Sequence, residues 1–491
     1  MVRLRVVVLL SASLLVQACA VGPNYRPPAA ATLGVPASYA TPADPAAAPD
    51  LQRWWLTFND PELDRIVDLA LKQNLDIAQA VARLRQARES YVQSRASLFP
   101  QIGSSAGYSR NINIRGRTFG SITNAGIVNE NYSIAADVSY QLDIFGGNKR
   151  AAQSAKRSYE ASGFSLAQVQ ASIASEVARN YILARAAQAN VAVARGSLAI
   201  QDENLEIAGY RAKAGLVSSL DSEQSRAQRA QTAANVPSLE QSFEQAANRL
   251  GVLTGQAPGA LKADLAASAP IPDGSGSVAV GVPVDVIRLR PDVRSAERSL
   301  AAATAEIGVA QAQLYPQLSL GGSISSNASM IQNVTDIITG RVFANIAQTI
   351  FDAGRNKSVI RQRRAAAEQA FASYKSTVLS ALEDVENALT ALHTAETRLT
   401  ELQVAVDASS NAATLARLQY RSGLADITTL NNSEASLLSS QSGLLGARSD
   451  KAQALVQLYL ALGGGWDPNA PPPTAEPLKR GDGQPEHLQE P

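Results

Sequence analysis

The chain has 491 residues, and its 44 lysines and arginines nearly balance its 43 aspartates and glutamates. Such a balance gives no strong overall field, which argues against nucleic acid or another polyanion as a partner. Beyond the N-terminus no apolar run approaches the roughly 20 residues that a membrane-spanning helix needs, so a polytopic helical transporter is excluded. One cysteine and two histidines offer no disulfide framework and no zinc cluster.

The N-terminus has the organisation of a secretory signal. Two arginines precede the apolar stretch 6–16, which runs into Val16-Gln17-Ala18-Cys19. A cysteine after a small residue resembles a bacterial lipobox, in which the thiol receives a diacylglycerol. We therefore predict a signal peptide at 1–18 and a covalent lipid on Cys19, with no other cofactor. An ordinary cleaved signal is the alternative. By the same resemblance, Ala20 in place of an aspartate after the cysteine implies sorting to the outer membrane.

The remainder of the chain contains an internal duplication. Residues 74–101 align without a gap with residues 290–317, and further on Gly215 aligns with Gly423. Chance similarity between alanine-rich helices does not explain aligned proline, glycine and aspartate positions. The predicted divisions are a lipidated, extended N-terminal segment (19–58), a first repeat (59–256), an equatorial linker (257–283), a second repeat (284–465) and a disordered proline-rich tail (466–491).

Each repeat is predicted to contain a helix, two strands, a very long helix, a turn and a further helix. Residues 60–98 and 284–314 are helical by their spacing and alanine content. Residues 146–212 and 353–421 lack proline, and an uninterrupted helix of that length spans on the order of 100 Å. A small globular core cannot enclose such a rod. Apolar residues at three-four spacing, including Leu382, Val385 and Leu389, predict a coiled coil instead.

Between these helices apolar and polar residues alternate with a period of two, in place of the helical period of about 3.6. This alternation predicts strands at 101–115, 131–144, 317–328 and 341–352, the last being the least regular. Twelve residues of about 3.3 Å each, tilted by about 45°, cover roughly 28 Å, which is close to the thickness of a bilayer core. The alternation is typical of transmembrane barrel strands, and a half-exposed soluble sheet has the same pattern.

Aromatic residues at all four helix–strand junctions favour the membrane interpretation. They are Phe99, Phe145, Tyr315 and Phe351. Four strands cannot close a barrel, and an open edge in lipid leaves backbone groups unpaired. Two copies would give eight strands and three would give twelve. An eight-stranded barrel is filled by its own side chains, so conduction favours a homotrimer.

A set of motifs follows in order along nearly the whole mature chain: Cys19-Ala20-Val21-Gly22-Pro23-Asn24-Tyr25, Trp54-Trp55-Leu56-Thr57-Phe58-Asn59-Asp60-Pro61, Arg290-Pro291-Asp292-Val293-Arg294, Leu314-Tyr315-Pro316, Ile350-Phe351-Asp352-Ala353-Gly354-Arg355 and Tyr420-Arg421-Ser422-Gly423. Together these motifs resemble the TolC-type outer-membrane efflux proteins, and within them the NodT-type lipoprotein branch.

The resemblance implies a mainly α fold with β, the tandem-duplicated TolC-like fold. Each chain would contribute long helices to a coiled-coil α-helical barrel and four transmembrane strands to a 12-stranded barrel in the trimer. It also implies a passive duct in the bacterial outer membrane, extending into the periplasm, for drugs or other small toxic compounds. The implied partners are outer-membrane lipid, a periplasmic adaptor (a membrane fusion protein) and an inner-membrane resistance-nodulation-division pump.

In the family, the periplasmic end closes around the last helix–helix turn, which corresponds here to residues 420–432. Tyr420 and Arg421 match the bridging pair of the family, whereas Thr428, Thr429 and Asn432 stand where relatives commonly carry leucine or aspartate. The alternative is that the pair only packs the turn. With the acidic residues that could replace a cation-attracting ring, the gate candidates are Tyr420, Arg421, Asp426, Thr429, Asn432 and Asp221.

Gly215 and Gly423 follow the long helices, and we predict left-handed C-caps that shape turns facing the adaptor. Three other functions stay open. An enzyme is opposed by the absence of a phosphate-binding loop, a zinc-protease motif or a serine–histidine arrangement. The others are a non-porous periplasmic lipoprotein scaffold and a duct for type I protein secretion.

Overall fold

The structure, a computed structural model, describes residues 20–41, 51–112, 128–274 and 280–467. The predicted signal peptide at 1–18, Cys19 and most of the predicted tail lie outside the described residues. The chain divides into two compact units. Among the described residues, the first unit contains 20–27, 85–112, 128–161 and 297–373, and the second contains 28–41, 51–84, 162–274, 280–296 and 374–467.

The described residues form ten α-helices, of which two are very long: α1 (Ala30–Leu33), α2 (Pro61–Gln73), α3 (Leu75–Ala96), α4 (Gly147–Lys213), α5 (Ser219–Leu253), α6 (Lys262–Leu265), α7 (Pro283–Leu289), α8 (Pro291–Ala312), α9 (Arg355–Ser422) and α10 (Ile427–Ala461). Helices α4 and α9 have 67 and 68 residues, close to the predicted stretches. No described helix combines the length and the apolar character needed to cross a membrane.

The single helix predicted at 60–98 is wrong, because the chain breaks it at Asn74. This residue is extended and ends α2. Its side-chain oxygen accepts hydrogen bonds from the backbone N–H groups of Asp76 and Ile77, at 2.8 and 3.1 Å, and so begins α3 as an N-cap. Its amide Nδ2 donates to the Leu253 carbonyl at 2.8 Å.

The helix predicted at 284–314 is likewise divided, at Arg290. A residue before proline is disfavoured in the helical conformation, and Arg290 is extended ahead of Pro291. The guanidinium of Arg290 is 8% exposed and lies 2.7 Å from Asp292 Oδ2 and 2.9 Å from Asp384 Oδ2. It also donates to the Ala461 carbonyl at 3.1 Å. The break therefore places a paired arginine inside the second unit.

The four strands form one antiparallel sheet in chain order: β1 (Gln101–Ile112), β2 (Val128–Leu142), β3 (Gln317–Ala328) and β4 (Thr339–Ala347). Within the described chain, β1 and β4 are each paired on one side only. The predicted β3 is confirmed at both ends. The last residues predicted for the first strand, 113–115, lie outside the described residues.

Both ends predicted for β2 (131–144) and β4 (341–352) are wrong, because each strand begins and stops earlier. Gln317 pairs with Ala347 in the last pair of that ladder, and Pro316 before it has no N–H to continue. After β2, Asp143 turns to cap α4 and accepts from the N–H of Lys149 at 2.7 Å. After β4, Asp352 caps α9 in the same way through the N–H of Asn356 at 2.8 Å.

The second unit has a dense aromatic and aliphatic core. Trp54 stacks on Tyr459 with ring centroids 5.4 Å apart, and Trp55 meets Trp54 edge-on. Both tryptophans are fully buried, as are Leu63 and Ile66 of α2. The predicted coiled-coil residues Val385 and Leu389 are buried too.

Two segments predicted as irregular contribute to the second unit. In the 19–58 segment, Trp54–Phe58 form a 3-10 turn with three buried aromatic residues. In the 466–491 tail, Trp466 donates from Nε1 to the Leu289 carbonyl at 3.1 Å and meets Phe164 edge-on. Their aromatic side chains bury large apolar areas, which stabilises an ordered conformation despite the surrounding prolines.

Candidate functional site

One face of the sheet carries apolar side chains that the described chain leaves uncovered. Ile102, Val138, Gly322 and Val342 are cross-strand neighbours in a row across all four strands. Ile102 is 82% exposed and Val342 is 92% exposed. Apolar area exposed to water costs about 25 cal/mol per Å² relative to burial, so a contiguous face of this kind favours an apolar medium.

The opposite face of the sheet is polar. Gly103, Asp137, Ser323 and Arg341 form the corresponding row across the four strands. The predicted alternation is thus present in β1, β2 and β3. Strand β4 departs from it at Phe343, whose ring lies on the polar face against the backbone of Gly321. A larger residue at 321 would collide with that ring.

The aromatic residues predicted as a belt lie at one end of the sheet. Phe99 and Tyr315 precede β1 and β3, whereas Phe145 and Phe351 follow β2 and β4, and the strands are antiparallel. Phe145 and Tyr315 stack with centroids 4.6 Å apart. Phe351 is 86% exposed. Exposed aromatic rings at the end of an apolar face are typical of a membrane–water boundary.

The first described residues are fixed at this same end of the sheet by Arg150. The arginine is buried near the start of α4 and donates to the carbonyls of Val21 and Gly22 at 3.1 and 3.2 Å. It also donates to Asn24 Oδ1 at 2.8 Å. The Val21 N–H in turn donates to the Phe145 carbonyl at 3.1 Å. The residues directly after Cys19 therefore lie beside the junction of β2 and α4.

Three glycines permit this close packing. Gly22 has φ +98° and approaches Gly308 of α8 so closely that a Cβ on Gly22 would lie 2.5 Å from the Gly308 Cα. Gly146, with φ +76°, approaches Ala20 in the same way. L-residues rarely adopt such positive φ values. Gly22 and Gly146 are therefore favoured for two reasons, the left-handed backbone and the lack of space for a Cβ.

The turns after the two long helices have matching caps. Gly215 and Gly423 have φ of +75° and +78°, in the predicted left-handed conformation. Leu216 N–H donates to the Arg211 carbonyl at 2.9 Å, and Leu424 N–H donates to the Gln419 carbonyl at 2.8 Å. These are the six-to-one bonds of the Schellman motif. Leu216 and Leu424 are 70% and 81% exposed.

Tyr420 and Arg421 both contact α4 of the same chain. Arg211 donates from Nη1 to the Tyr420 carbonyl at 2.6 Å, and its guanidinium lies 4.8 Å from the centre of the Tyr420 ring. Arg421 forms an ion pair with Glu203. Burial raises the pKa of Tyr420, Arg211 opposes this shift, and the nearby carboxylate of Asp221 adds to it. The pair thus joins the end of α9 to α4.

The remaining gate candidates differ in their surroundings. Asp426 is the N-cap of α10 and accepts from the Thr429 N–H at 2.7 Å, which lowers the pKa of Asp426. Asn432 is exposed on the first turns of α10. Asp221 lies in the first turn of α5. Tyr420 and Asp221 therefore lie near each other, whereas Asp426 and Thr429 together form the N-terminal cap of α10.

Sequence reasoning missed the residues that bind these candidates. Arg211 and Glu203 occur among many charged residues of α4, and nothing in their spacing distinguishes them. Arg150 was missed for the same reason. The sequence of a long charged helix does not show which of its basic side chains a distant segment of the chain will contact and bury.

The chain matches the family model of outer membrane efflux proteins over residues 66–256 and 282–464. It is 31% identical over 464 residues to Nodulation protein T of Rhizobium leguminosarum bv. trifolii, covering 93% of this chain and 97% of the relative. It is 30% identical over 462 residues to the pyoverdine export outer membrane protein OpmQ of Pseudomonas aeruginosa, covering 93% and 96%.

Solved structures give the same picture. The outer-membrane channel OprN has a TM-score of 0.83 and 33% identity, covering 91% of this chain and 100% of that one. The MtrE outer membrane channel of Neisseria gonorrhoeae, solved in its open state, has a TM-score of 0.79 and 27% identity, covering 91% and 99%. The predicted TolC-like fold, outer-membrane location and efflux function are confirmed. The chain belongs to the outer membrane efflux protein family and is the outer-membrane channel component of an efflux pump.

Proposed function

We propose that three identical copies of the chain form a closed 12-stranded barrel, with β1 of one copy pairing with β4 of the next. The open edges of β1 and β4 support this. Each backbone N–H or C=O group that has no hydrogen-bond partner in lipid costs on the order of several kcal/mol. The exposed apolar face would meet lipid and the polar face would line the lumen. Conduction would be passive, with no chemical reaction.

Cysteine cross-linking tests the trimer. Ser105→Cys on β1 combined in turn with Thr339→Cys and Asn345→Cys on β4 should give covalent dimers and trimers, since all three side chains lie on the polar face. As the control, Ser133→Cys with Asn327→Cys are partners within one chain and should give only an intrachain bond. Purified protein that is monomeric and shows no channel current would contradict the proposal.

A covalent lipid on Cys19 is the second part of the proposal. The contacts of Val21 and Gly22 with Arg150 support it, because they hold the chain next to Cys19 at the aromatic end of the sheet. Mass spectrometry of the mature protein should find the acylated cysteine. A Cys19→Ala variant should lose the lipid and still fractionate with the outer membrane, because the barrel itself remains embedded.

The periplasmic partners would be an adaptor and a resistance-nodulation-division pump. Leu216 and Leu424 support an adaptor contact, since each is an exposed apolar side chain directly after a glycine cap. Leu216→Ser with Leu424→Ser should weaken co-purification of a co-expressed adaptor. Leu415→Ser, an equally polar change at an exposed position within α9, is the matched control.

We further propose that Tyr420 and Arg421 restrict the periplasmic aperture through α4. Tyr420→Phe with Arg421→Ser removes the Glu203 ion pair and should raise ion conductance in planar bilayers. The control is Arg195→Ser, which breaks the exposed Arg195–Glu240 ion pair between α4 and α5. Unchanged conductance in the double variant would leave the pair with a packing role only.

The cargo would be small toxic compounds. Relatives are named for solvent efflux and for toluene efflux, and OpmQ for pyoverdine export. Drug accumulation in a host that lacks its own outer-membrane channel tests this part. Restored resistance to small compounds supports efflux, whereas secretion of a polypeptide through a type I system would oppose it.

A further inference from the structure

A cationic cleft of about 760 Å³ lies in the first unit, between the start of α4 and the end of α3. Among the described residues that line it, none is acidic and five are basic, and we call it the cationic cleft: Arg95, Lys149, Arg150, Lys156 and Arg157. Its volume falls in the usual range of small-molecule sites, roughly 300–1,000 Å³.

The five cations are not equally available. Arg150 is used by the chain itself, since it binds Val21, Gly22 and Asn24. Arg157 pairs with Glu160 at 2.7 Å. The side chains of Arg95, Lys149 and Lys156 are exposed, and none has an ion-pair partner among the described residues. Three neighbouring unpaired cations repel one another, so an anion in the cleft would stabilise them.

The position of the cleft indicates which anion. Ala20 lines it, so the cleft begins one residue after Cys19. The aromatic residues Phe145 and Tyr315 and the apolar face of the sheet lie at the same junction. If the sheet spans the outer membrane as proposed above, this junction is level with the headgroups of the periplasmic leaflet. Phosphates are the anions present there, and arginine and lysine bind them well.

We propose that the cationic cleft binds the headgroup of an anionic phospholipid, such as phosphatidylglycerol, beside the lipid anchor. Arg95, Lys149 and Lys156 supply the charge, and Asn24 and Gln153, whose side-chain oxygens accept hydrogen bonds from Arg150, line the same space. The inference rests on the proposed membrane orientation. It adds a specific lipid contact that a barrel alone does not need.

The second repeat offers a matched control. Lys357 and Arg364 of α9 occupy the positions that correspond to Lys149 and Lys156 of α4 in the aligned repeats, and both are exposed. They do not line the cleft. Lys149→Gln with Lys156→Gln and Lys357→Gln with Arg364→Gln therefore remove the same charge from equivalent helices, one pair inside the cleft and one outside.

The test is native mass spectrometry of the mature, lipidated protein in detergent after addition of phosphatidylglycerol. We expect retained phosphatidylglycerol to fall roughly 10- to 30-fold in the cleft variant, since each basic residue near an anionic headgroup contributes about 1 kcal/mol, and to stay at the wild-type level in the control. Phosphatidylethanolamine, whose headgroup has no net charge, should be retained less than phosphatidylglycerol by the wild type.

Three results would overturn the proposal. Equal retention by both variants would show that the bound lipid lies elsewhere. Full competition by inorganic phosphate at equal concentration would reveal a site for free phosphate. Carbodiimide cross-linking of Lys149 to another copy would show that a neighbouring subunit closes the cleft. Channel current and outer-membrane fractionation of the same variants report on the proposed function separately, so its failure is distinguishable.

Discussion

Asn204 of α4 donates a hydrogen bond from Nδ2 to Glu434 Oε1 of α10 at 2.7 Å, and both side chains are buried. Arg417 of α9 lies 3.4 Å from the same carboxylate oxygen. The contact thus joins a helix of the first repeat to two helices of the second, within the second unit. Glu434 was not singled out by the sequence, because a glutamate early in a helix is ordinary on an exposed face.

Glu434→Ala should lower the free energy of unfolding by about 2–4 kcal/mol, because it leaves the Asn204 amide and the Arg417 guanidinium without their partner. Urea titration followed by circular dichroism measures the change. Glu396→Ala, at an exposed position of α9, is the control and should stay within about 0.5 kcal/mol of wild type. Equal effects of the two substitutions would show that the Glu434 contact contributes nothing.

Gly215→Ala and Gly423→Ala should each destabilise the chain by about 1–2 kcal/mol, because an L-residue is strained at φ near +75°. Steric contact adds little, since a Cβ at 215 would meet nothing within 4 Å and one at 423 only Arg211 Nη2 at 3.6 Å. Thermal unfolding provides the measurement.

Two helical glycines control for this prediction. Gly209 of α4 and Gly446 of α10 also have nothing within 4 Å of an added Cβ, but neither has a positive φ. Alanine at these positions should stabilise by up to about 1 kcal/mol through helix propensity. Destabilisation at all four sites alike would mean that left-handed geometry is not the cause.

The long helices, the β-pattern and the two glycine caps were predictable because each has a local signal. Helices α4 and α9 lack proline over their whole length, and strands repeat with a period of two. A glycine after a helix is the usual solution for a left-handed cap. Signals of this kind depend only on residues that are close together in the sequence, so one amino-acid sequence is sufficient to detect them.

The helix breaks and the partners of the gate candidates were not predictable for the opposite reason. Asn74 interrupts a helical pattern because its side chain caps α3 and also reaches Leu253, far along the chain. Arg211 is placed against Tyr420 by the packing of α4 on α9. Contacts that depend on tertiary packing leave no periodic trace in the sequence.

Asp426 should make the start of α10 sensitive to acid. Hydrogen bonds from Thr429, chiefly its backbone N–H, lower the pKa of Asp426 below the ordinary 3.8. The stabilisation from the ionised cap is therefore complete above the ordinary pKa and is lost as the pH falls through the lower, folded-state pKa. Amide hydrogen exchange at Thr429 between neutral pH and acid, corrected for intrinsic exchange, measures this loss.

Asp426→Asn separates the cap from its charge. Asparagine is as good an N-cap as aspartate but does not titrate. The variant should protect the Thr429 amide at neutral pH and show no corrected change in acid. Asp426→Ala should lose protection at every pH. A pH-dependent response in the asparagine variant would assign the titration to another group.

The contact between Gly22 and Gly308 should determine whether the N-terminal segment stays packed on α8 and α4. A Cβ at Gly308 would lie 2.9 Å from both Arg150 Cγ and the Val21 carbonyl oxygen, so Gly308→Ala must displace the arginine or the segment. If the substitution lowers the local stability by about 1 kcal/mol, the fraction of molecules with a detached N-terminal segment rises roughly 5-fold. Chymotrypsin cleavage after Tyr25 should accelerate by that factor. Gly196→Ala, where an added Cβ meets nothing within 4 Å, should leave the rate unchanged. Identical rates in both variants would mean that the segment is held independently of this close approach.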